Sequence, residues 1–477
     1  MNVNKQPTSL SSRNGDHDLY DTSEETIEKV ALEFIQLVGS QYVISKLDER
    51  RLRSITKWSP ASPSHIPNLV VLPQSTAEVS EILRVCSRNR IPVLGYCGGT
   101  SMPGAIAATR GGVCVDFNRM DKIVEVHKED MDVVVQPAVN WQDLNSHLEE
   151  YDLFFPPDPG PGAKIGGMIA MNCSGTNAYR YGPMRQWVIS MTVVLADGTI
   201  VKTRHRPRKS SAGYDLTNLV VGSEGTLGLV TEAVLKLTSV PKNLHVAVAS
   251  FPSTHAAIKA ATTLVQSGLP IYALEFLDKH SMWAINKSGL SKKLWKENPT
   301  LFLLFSGLQA AVQAQVETAR RTAEENHCKE FVASARREDI DLWWGTRKSV
   351  AQSLMEMKNH PTDLFLNADT AVPISRLADM IEETHQVIAK AGLAGSTLGH
   401  VGDGNFHTVI VCPESQRDKG EDVLTWAHHR AIEFEGTVTG EHGIGFKLRD
   451  RLVDEVGPEA VAMMKKASGH ALLERFR

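Results

Sequence analysis

The chain has 477 residues, 42% of them apolar and 22% charged, with a formal net charge of −4. That length accommodates two or three domains around a sizeable core. Nothing in the charge calls for nucleic acid or an anionic surface, and no run approaches the roughly 18 apolar residues that cross a bilayer.

Residues 1–22 are polar and mixed in charge, with Asp16, Asp18 and Asp21. A mitochondrial presequence is Arg-rich and acid-poor, so no presequence is visible, and a disordered tail is expected. Residues 23–50 carry a helical stripe of Ile27, Val30, Ala31, Phe34, Ile35 and Val38, opened by Ser23 with Glu25 and Glu28. A proline-rich link, Pro60 to Pro67, follows. Short strands are expected at 70–72, 93–95, 113–117, 123–127 and 133–135, and helices at 76–88 and 141–150. Strands 188–195 and 199–203 flank Asp197-Gly198, a hairpin signal. From about 240 the rhythm changes. Strand-like runs at 245–251, 271–277, 300–306 and 363–372 alternate with helical runs at 254–267, 309–327, 338–356 and 374–391, the pattern of an α+β unit. The six cysteines, at 86, 97, 114, 173, 328 and 412, show no CxxC pair. They read as reduced thiols of an intracellular compartment.

Three glycine-rich loops lie in the first half. They are Gly95-Tyr-Cys-Gly-Gly-Thr-Ser-Met-Pro-Gly104, Pro156-Pro-Asp-Pro-Gly-Pro-Gly162 running into Ile165-Gly-Gly-Met-Ile-Ala170 and Asn172-Cys-Ser-Gly-Thr-Asn177, and Val221-Gly-Ser-Glu-Gly-Thr-Leu-Gly228. Glycines let backbone N–H groups approach a pyrophosphate, and the Ser and Thr hydroxyls add donors. One such loop is usually a turn; three in one domain imply a shared ligand. The chain has no GxGxxG opening a helix and no GxxxxGKS/T, which argues against a Rossmann site and a P-loop.

In the second half, Gly399-His400-Val-Gly-Asp403-Gly-Asn405-Phe-His407 is followed by Thr439-Gly-Glu441-His442-Gly443. Two histidines on a strand–turn–strand with a later glutamate make a mixed metal site with an open position. His400, His407 and Glu441 are the expected ligands.

The stretches Asp158-Pro-Gly-Pro-Gly through Tyr179-Arg-Tyr-Gly182 and Arg206-Pro-Arg-Lys-Ser-Ser-Ala-Gly-Tyr-Asp-Leu through Gly228 resemble the vanillyl-alcohol oxidase superfamily, and within it the cytochrome-linked D-lactate dehydrogenases of fungal and animal mitochondria. The resemblance runs from about residue 65 to about 466. It implies an α+β fold: a two-subdomain, PCMH-type FAD-binding domain over 63–240, after an N-terminal tail and helix over 1–62. An α+β cap with an antiparallel sheet over 241–477 would hold substrate and metal. The flavin-binding residues it implies are Tyr96, Cys97, Gly98, Gly99, Thr100 and Ser101; Pro157, Asp158, Gly166, Gly167 and Asn172; Ser174, Gly175, Thr176, Tyr181 and Gly182; and Glu224, Gly225 and Val230. The metal would be Zn or Mn. His442 would be the catalytic base, and Arg347, in Trp343-Trp-Gly-Thr-Arg-Lys, would take the substrate carboxylate. Arg376 is read as structural.

This sequence departs from the family at several places. Ala105 stands where a histidine can carry a covalent flavin, so FAD is expected to bind non-covalently. Cys97 replaces the usual glycine or serine. Asn367 replaces the lysine of the 2-hydroxyglutarate branch, which favours a monocarboxylate. The terminal segment Lys465–Arg477 also departs from the family's ending.

The implied activity is oxidation of D-lactate or a similar D-2-hydroxy acid, with electrons passing to cytochrome c or another acceptor. The implied location is mitochondrial, with the cytoplasm as the alternative. The rival readings are the same fold acting on another alcohol and an inactive, flavin-free binding protein. Metal ligands and glycine loops fall in different domains, so metal removal is expected to leave FAD bound.

Overall fold

The computed structural model describes residues 19–56 and 64–468. The expected tail up to residue 18, the first half of the proline-rich link and the last nine residues lie outside the described residues.

The first helix, Glu24–Val38, starts where Ser23 Oγ accepts from Thr26 N, and buries Ile27, Val30, Phe34 and Val38. The stripe predicts a helix to residue 50. The helix instead ends at Gly39, whose φ of 95° leaves helical geometry, and the chain continues into a strand at Val43–Ile44. That strand pairs antiparallel with Leu69–Val71, which lies parallel to Val113–Asp116 and, beyond it, Val93–Tyr96. The segment set apart as 1–62 thus completes this sheet, and its helix shares the sheet's core with Val79, Ile82, Leu83 and Val115.

A second sheet is antiparallel, in the order Ile123–His127, Asp132–Val135, Leu229–Lys236, Val188–Val194, Ile200–Lys202. The hairpin expected at Asp197-Gly198 is its last pair, with Gly198 at φ 84°. The first glycine loop leaves the Val93–Tyr96 strand, the second follows Leu153–Phe154, which pairs with Thr238–Ser239 in a two-stranded ribbon, and the third leads into Leu229–Lys236.

The third sheet has seven antiparallel strands in the order Glu330–Ser334, His245–Ser250, Thr300–Phe305, Ala273–Leu277, Ala394–Gly399, Asn405–Cys412, Leu364–Ala371. Helices cover both faces, which explains why strands such as Thr300–Phe305 are apolar at nearly every position. The run 338–356 is two helices, Arg337–Lys348 and Val350–Met355.

One buried carboxylate pins this sheet to its helices. Asp278, fully buried, caps the Lys279–Ser288 helix by accepting from Ser281 N at 2.7 Å, and also accepts from Ser396 Oγ at 2.8 Å and Thr397 N at 2.8 Å. Burial opposes its charge, but His385 and the backbone N–H donors overcome that and hold it below the usual carboxylate range. A lowered pKa contributes stability above the unfolded value, near pH 4, and loses it as pH falls through the folded value. Asp278→Ala should cost on the order of 3 kcal/mol, because several buried donors lose their acceptor. In thermal melts the gap between wild type and D278N should narrow as the pH drops below about 4; a gap independent of pH would show that the charge contributes nothing.

Candidate active site

The glycine loops and one face of the third sheet enclose a single cavity of about 740 Å³. Its wall includes Cys97, Gly98, Gly99, Thr100 and Ser101 of the first loop, Asp158, Gly166, Gly167, Gly175 and Thr176 of the second, and Glu224, Gly225 and Val230 of the third. Arg347, His400, His407, Glu441 and His442 complete it from the cap side.

The remaining residues expected at the flavin stand behind the wall. Tyr96 packs its hydroxyl over Gly99, where a Cβ would lie 2.5 Å away. Asn172 ends the Ile165–Met171 helix in the left-handed region and accepts from Arg185 N at 3.0 Å. Tyr181 sits in an aromatic cluster with Phe154, Trp187 and Tyr272. Gly182 forms the turn after it, at φ 74°. Pro157 is buried and precedes the cavity-lining Asp158. Ser174 turns to the cap and donates to Glu441 Oε2 at 2.5 Å. These six lie on or next to the glycine-rich segments but are not part of the cavity wall.

The glycines divide in the same way. A Cβ on Gly166 would meet Pro137 at 2.6 Å, and one on Gly98 would meet the carbonyl of Gly162 at 2.7 Å, so these two serve loop-to-loop packing. A Cβ on Gly167 would meet nothing nearer than Cys97 at 4.0 Å and would project into the cavity it lines. The wall is therefore shaped for a bulky ligand held by backbone, and the residues present fit FAD. Ala105, where a histidine tether could have stood, is in the same wall.

On the cap side, His400 follows the Ala394–Gly399 strand and His407 lies on Asn405–Cys412, with Gly404 at φ 75° in the turn between. This is the expected strand–turn–strand. His400 Nε2 and His407 Nε2 each lie 3.3 Å from Glu441 Oε1, and His442 Nε2 lies 3.7 Å from the same oxygen. The His407 and His442 rings stack, 5.0 Å apart.

Two carboxylates that pattern reading missed organise this cluster. Asp369, 4% exposed, accepts from Asn405 Nδ2 at 2.7 Å on one oxygen. Its other oxygen accepts from Glu441 N and His442 N, both at 2.8 Å, and from Thr439 Oγ1 at 3.0 Å. Glu275, 1% exposed, accepts from His400 Nδ1 at 2.7 Å on one oxygen, and from Arg347 Nε at 3.0 Å and Nη2 at 2.6 Å on the other. A lone acid in a strand such as Ala273–Leu277 gives no sequence signal; only the neighbouring strand shows its partners.

Arg347 is the residue expected to take a substrate carboxylate. One edge is committed to Glu275, which leaves three of its five N–H donors.

The donor set fits a divalent cation. Glu275, Asp369 and Glu441 outnumber the one permanent cation beside them, Arg347. Asp369 already accepts four bonds, so the free donor atoms are those of His400, His407 and Glu441. Burial works against charge on His400, but Glu275 and Glu441 overcome it and hold its imidazolium well above the ordinary range. Burial also opposes the Glu441 carboxylate, yet His400 and His407 keep it ionised. His442 moves the other way: burial, against the pull of Asp369, lowers its pKa and favours the neutral imidazole. Burial raises Asp403, on the turn beside His400, to about 6.

Flavin wall and ligand cluster are joined rather than independent, because Ser174 holds Glu441 and Glu224 accepts from Ile444 N at 2.6 Å and Gly445 N at 3.0 Å.

Glu275→Ala would strand the Arg347 charge in a site where both partners are below 8% exposed. A loss of about 3–5 kcal/mol in urea unfolding is expected. The double variant E275L/R347M should recover much of it; equal stability of E275A and wild type would show the pair to be idle.

Comparison with known proteins gives matching models for an FAD binding domain over residues 67–204 and for the C-terminal domain of FAD linked oxidases over residues 240–470. The mitochondrial D-lactate dehydrogenase [cytochrome] of Kluyveromyces lactis is 44% identical over 85% of this chain and 72% of its own length. The probable mitochondrial D-lactate dehydrogenase of Danio rerio is 41% identical over 84% and 81%. The glycolate oxidase subunit GlcD of Bacillus subtilis is 32% identical over 85% and 87%. Among solved structures, p-cresol methylhydroxylase with substrate bound superposes with a TM-score of 0.77 at 14% identity, over 95% of this chain and 97% of that one. Alkyldihydroxyacetonephosphate synthase gives 0.70 at 17% identity, over 92% and 84%. These two share the fold.

Proposed function

This chain belongs to the family of FAD-linked oxidases that includes the cytochrome D-lactate dehydrogenases, and we propose that it oxidises D-lactate, or a similar D-2-hydroxy acid, to the 2-oxo acid. The observation that carries the reading is the meeting of Arg347, His442 and the His400–His407–Glu441 cluster with the glycine loops in one cavity wall. FAD held by the glycine loops supplies the hydride acceptor. A divalent metal, Zn or Mn, held by His400, His407 and Glu441 supplies Lewis acidity toward the 2-hydroxyl.

The protein's own share is charge, orientation and a proton acceptor. Arg347 binds the substrate carboxylate with the donors that Glu275 leaves free, and the Glu275 clamp fixes the plane in which they point. His442, kept neutral by burial, takes the hydroxyl proton. Its backbone N–H is fixed by Asp369, so the imidazole is delivered from a rigid segment. Asn367 stands in the same wall, where the 2-hydroxyglutarate branch has a lysine, which favours a monocarboxylate substrate. Residues 63–240 form the flavin-binding unit in this reading, and 241–477 the substrate and metal unit. From the names of the relatives, a cytochrome is the proposed acceptor and the mitochondrion the proposed location. Among the described residues no helix is long and apolar enough to cross a membrane.

Denaturing the protein with acid should release yellow flavin into the supernatant, because Ala105 offers no tether. Flavin that stays with the pellet after complete denaturation would defeat the non-covalent reading.

His442→Ala should keep fold and FAD content while slowing flavin reduction by D-lactate by about 10²–10⁴-fold. Anaerobic stopped-flow with parallel metal analysis reads this. Slow reduction with full metal content supports the base. Loss of the metal would make His442 a fourth ligand, and wild-type rates would remove it from both roles.

A further inference from the structure

Glu441 and His442 stand on a segment, 437–448, with little regular structure of its own. Asp369 fixes it from the cap sheet through the N–H groups of Glu441 and His442. The opposite side is fixed from the flavin domain. Glu224 Oε1 accepts from Ile444 N at 2.6 Å, and its Oε2 from Gly445 N at 3.0 Å. At Gly443, where φ is +82°, a Cβ would meet Glu224 Oε1 at 2.9 Å and Met171 Cε at 2.4 Å, so the segment presses directly on the flavin-side wall.

The backbone of Glu224 makes its side chain conspicuous. It has a φ of 54°, in the left-handed region, between Gly222 at 81° and Gly225 at 77°. Glycine adopts that conformation freely, and a long side chain there is uncommon. Strain retained at such a position points to a job for the side chain. Here the job is visible: a buried carboxylate, 7% exposed, reaches across to two consecutive backbone N–H groups of the other half of the molecule.

We propose that Glu224 is a positioning residue for the reaction: by clamping Ile444 and Gly445 from the flavin domain, it sets the Glu441-His442 dipeptide in place for the metal and for the substrate hydroxyl. The inference rests on the roles given to Glu441 and His442 above. It assigns Glu224 to the joint between the two halves rather than to flavin binding.

The test uses full-length, FAD-loaded wild type, E224A, E224Q and E224G. The readouts are the flavin absorption spectrum, the dissociation constant for Mn²⁺, and kcat and KM for D-lactate with a dye acceptor. E224A and E224G should stay yellow and bind Mn²⁺ about 10–100-fold more weakly, as expected when a partner that orients ligands is lost. Their kcat should fall by a similar factor, with KM changed by less than about threefold. E224Q keeps one acceptor and should fall between them and wild type. E224G also relieves the left-handed backbone, so wild-type behaviour in E224G would show that only backbone shape matters and overturn the proposal. Wild-type Mn²⁺ affinity and kcat in E224A would overturn it too, as would loss of FAD with unchanged Mn²⁺ affinity, which returns Glu224 to flavin binding. Wild-type protein that turns over without binding Mn²⁺ or Zn²⁺ would sink the metal reading of the function; Glu224 is then judged by the kcat of E224A, and a wild-type value overturns its role.

Discussion

Everything on the cap side of the cavity depends on one buried carboxylate. Glu275 is almost wholly out of water, and both its oxygens are engaged, one by His400 and the other by Arg347. A carboxylate in that position is tolerable only because a permanent cation lies against it. The pairing fixes more than charge. It holds Nδ1 of His400 backwards, which turns Nε2 toward Glu441. It also holds one edge of the guanidinium, so the direction of the remaining donors is set before any substrate arrives. A metal-ligand candidate and a substrate-binding candidate are thereby oriented by the same side chain.

Asp369 does the corresponding work at the other end of the cluster. Its pairing opposite His407 places it on the sheet face that lines the cavity. From there it gathers the N–H groups of Glu441 and His442 and the hydroxyl of Thr439. An irregular segment thus becomes an extension of the sheet without being a strand. Together the two carboxylates build an anionic, dry environment. In such an environment one imidazole is driven toward the cation and another, with weaker compensation, toward the neutral base. Neighbouring histidines acquire different chemistry from different surroundings, not from different sequence contexts.

The glycine loops obey a second constraint. Some of their glycines pack loop on loop, as Gly98 and Gly166 do, and others leave room in the wall, as Gly167 does. Both uses forbid a side chain. Tyr96, Asn172, Tyr181 and Gly182 share or adjoin these motifs without forming part of the cavity wall.

The sequence by itself determined the change of rhythm near residue 240 and the ligand candidates, and its family resemblance gave the class of cofactor. Short apolar runs, the Asp197-Gly198 turn and the His400–His407 spacing are local signals, and local signals are written in neighbouring residues. The early end of the first helix was decided locally as well, by Gly39, whose positive φ leaves helical geometry before Val43 and Ile44 join the first sheet. Glu275, Asp369 and the carboxylate of Glu224 were legible only in three dimensions. Their partners are 72, 125 and 220 residues away in the chain for the Arg347, His400 and Ile444 contacts. A buried acid reads as an ordinary strand or loop residue until the fold shows what shares its low-dielectric surroundings. Only the fold could do so, because the cost of burying charge is settled by whichever groups the tertiary structure brings within hydrogen-bonding distance.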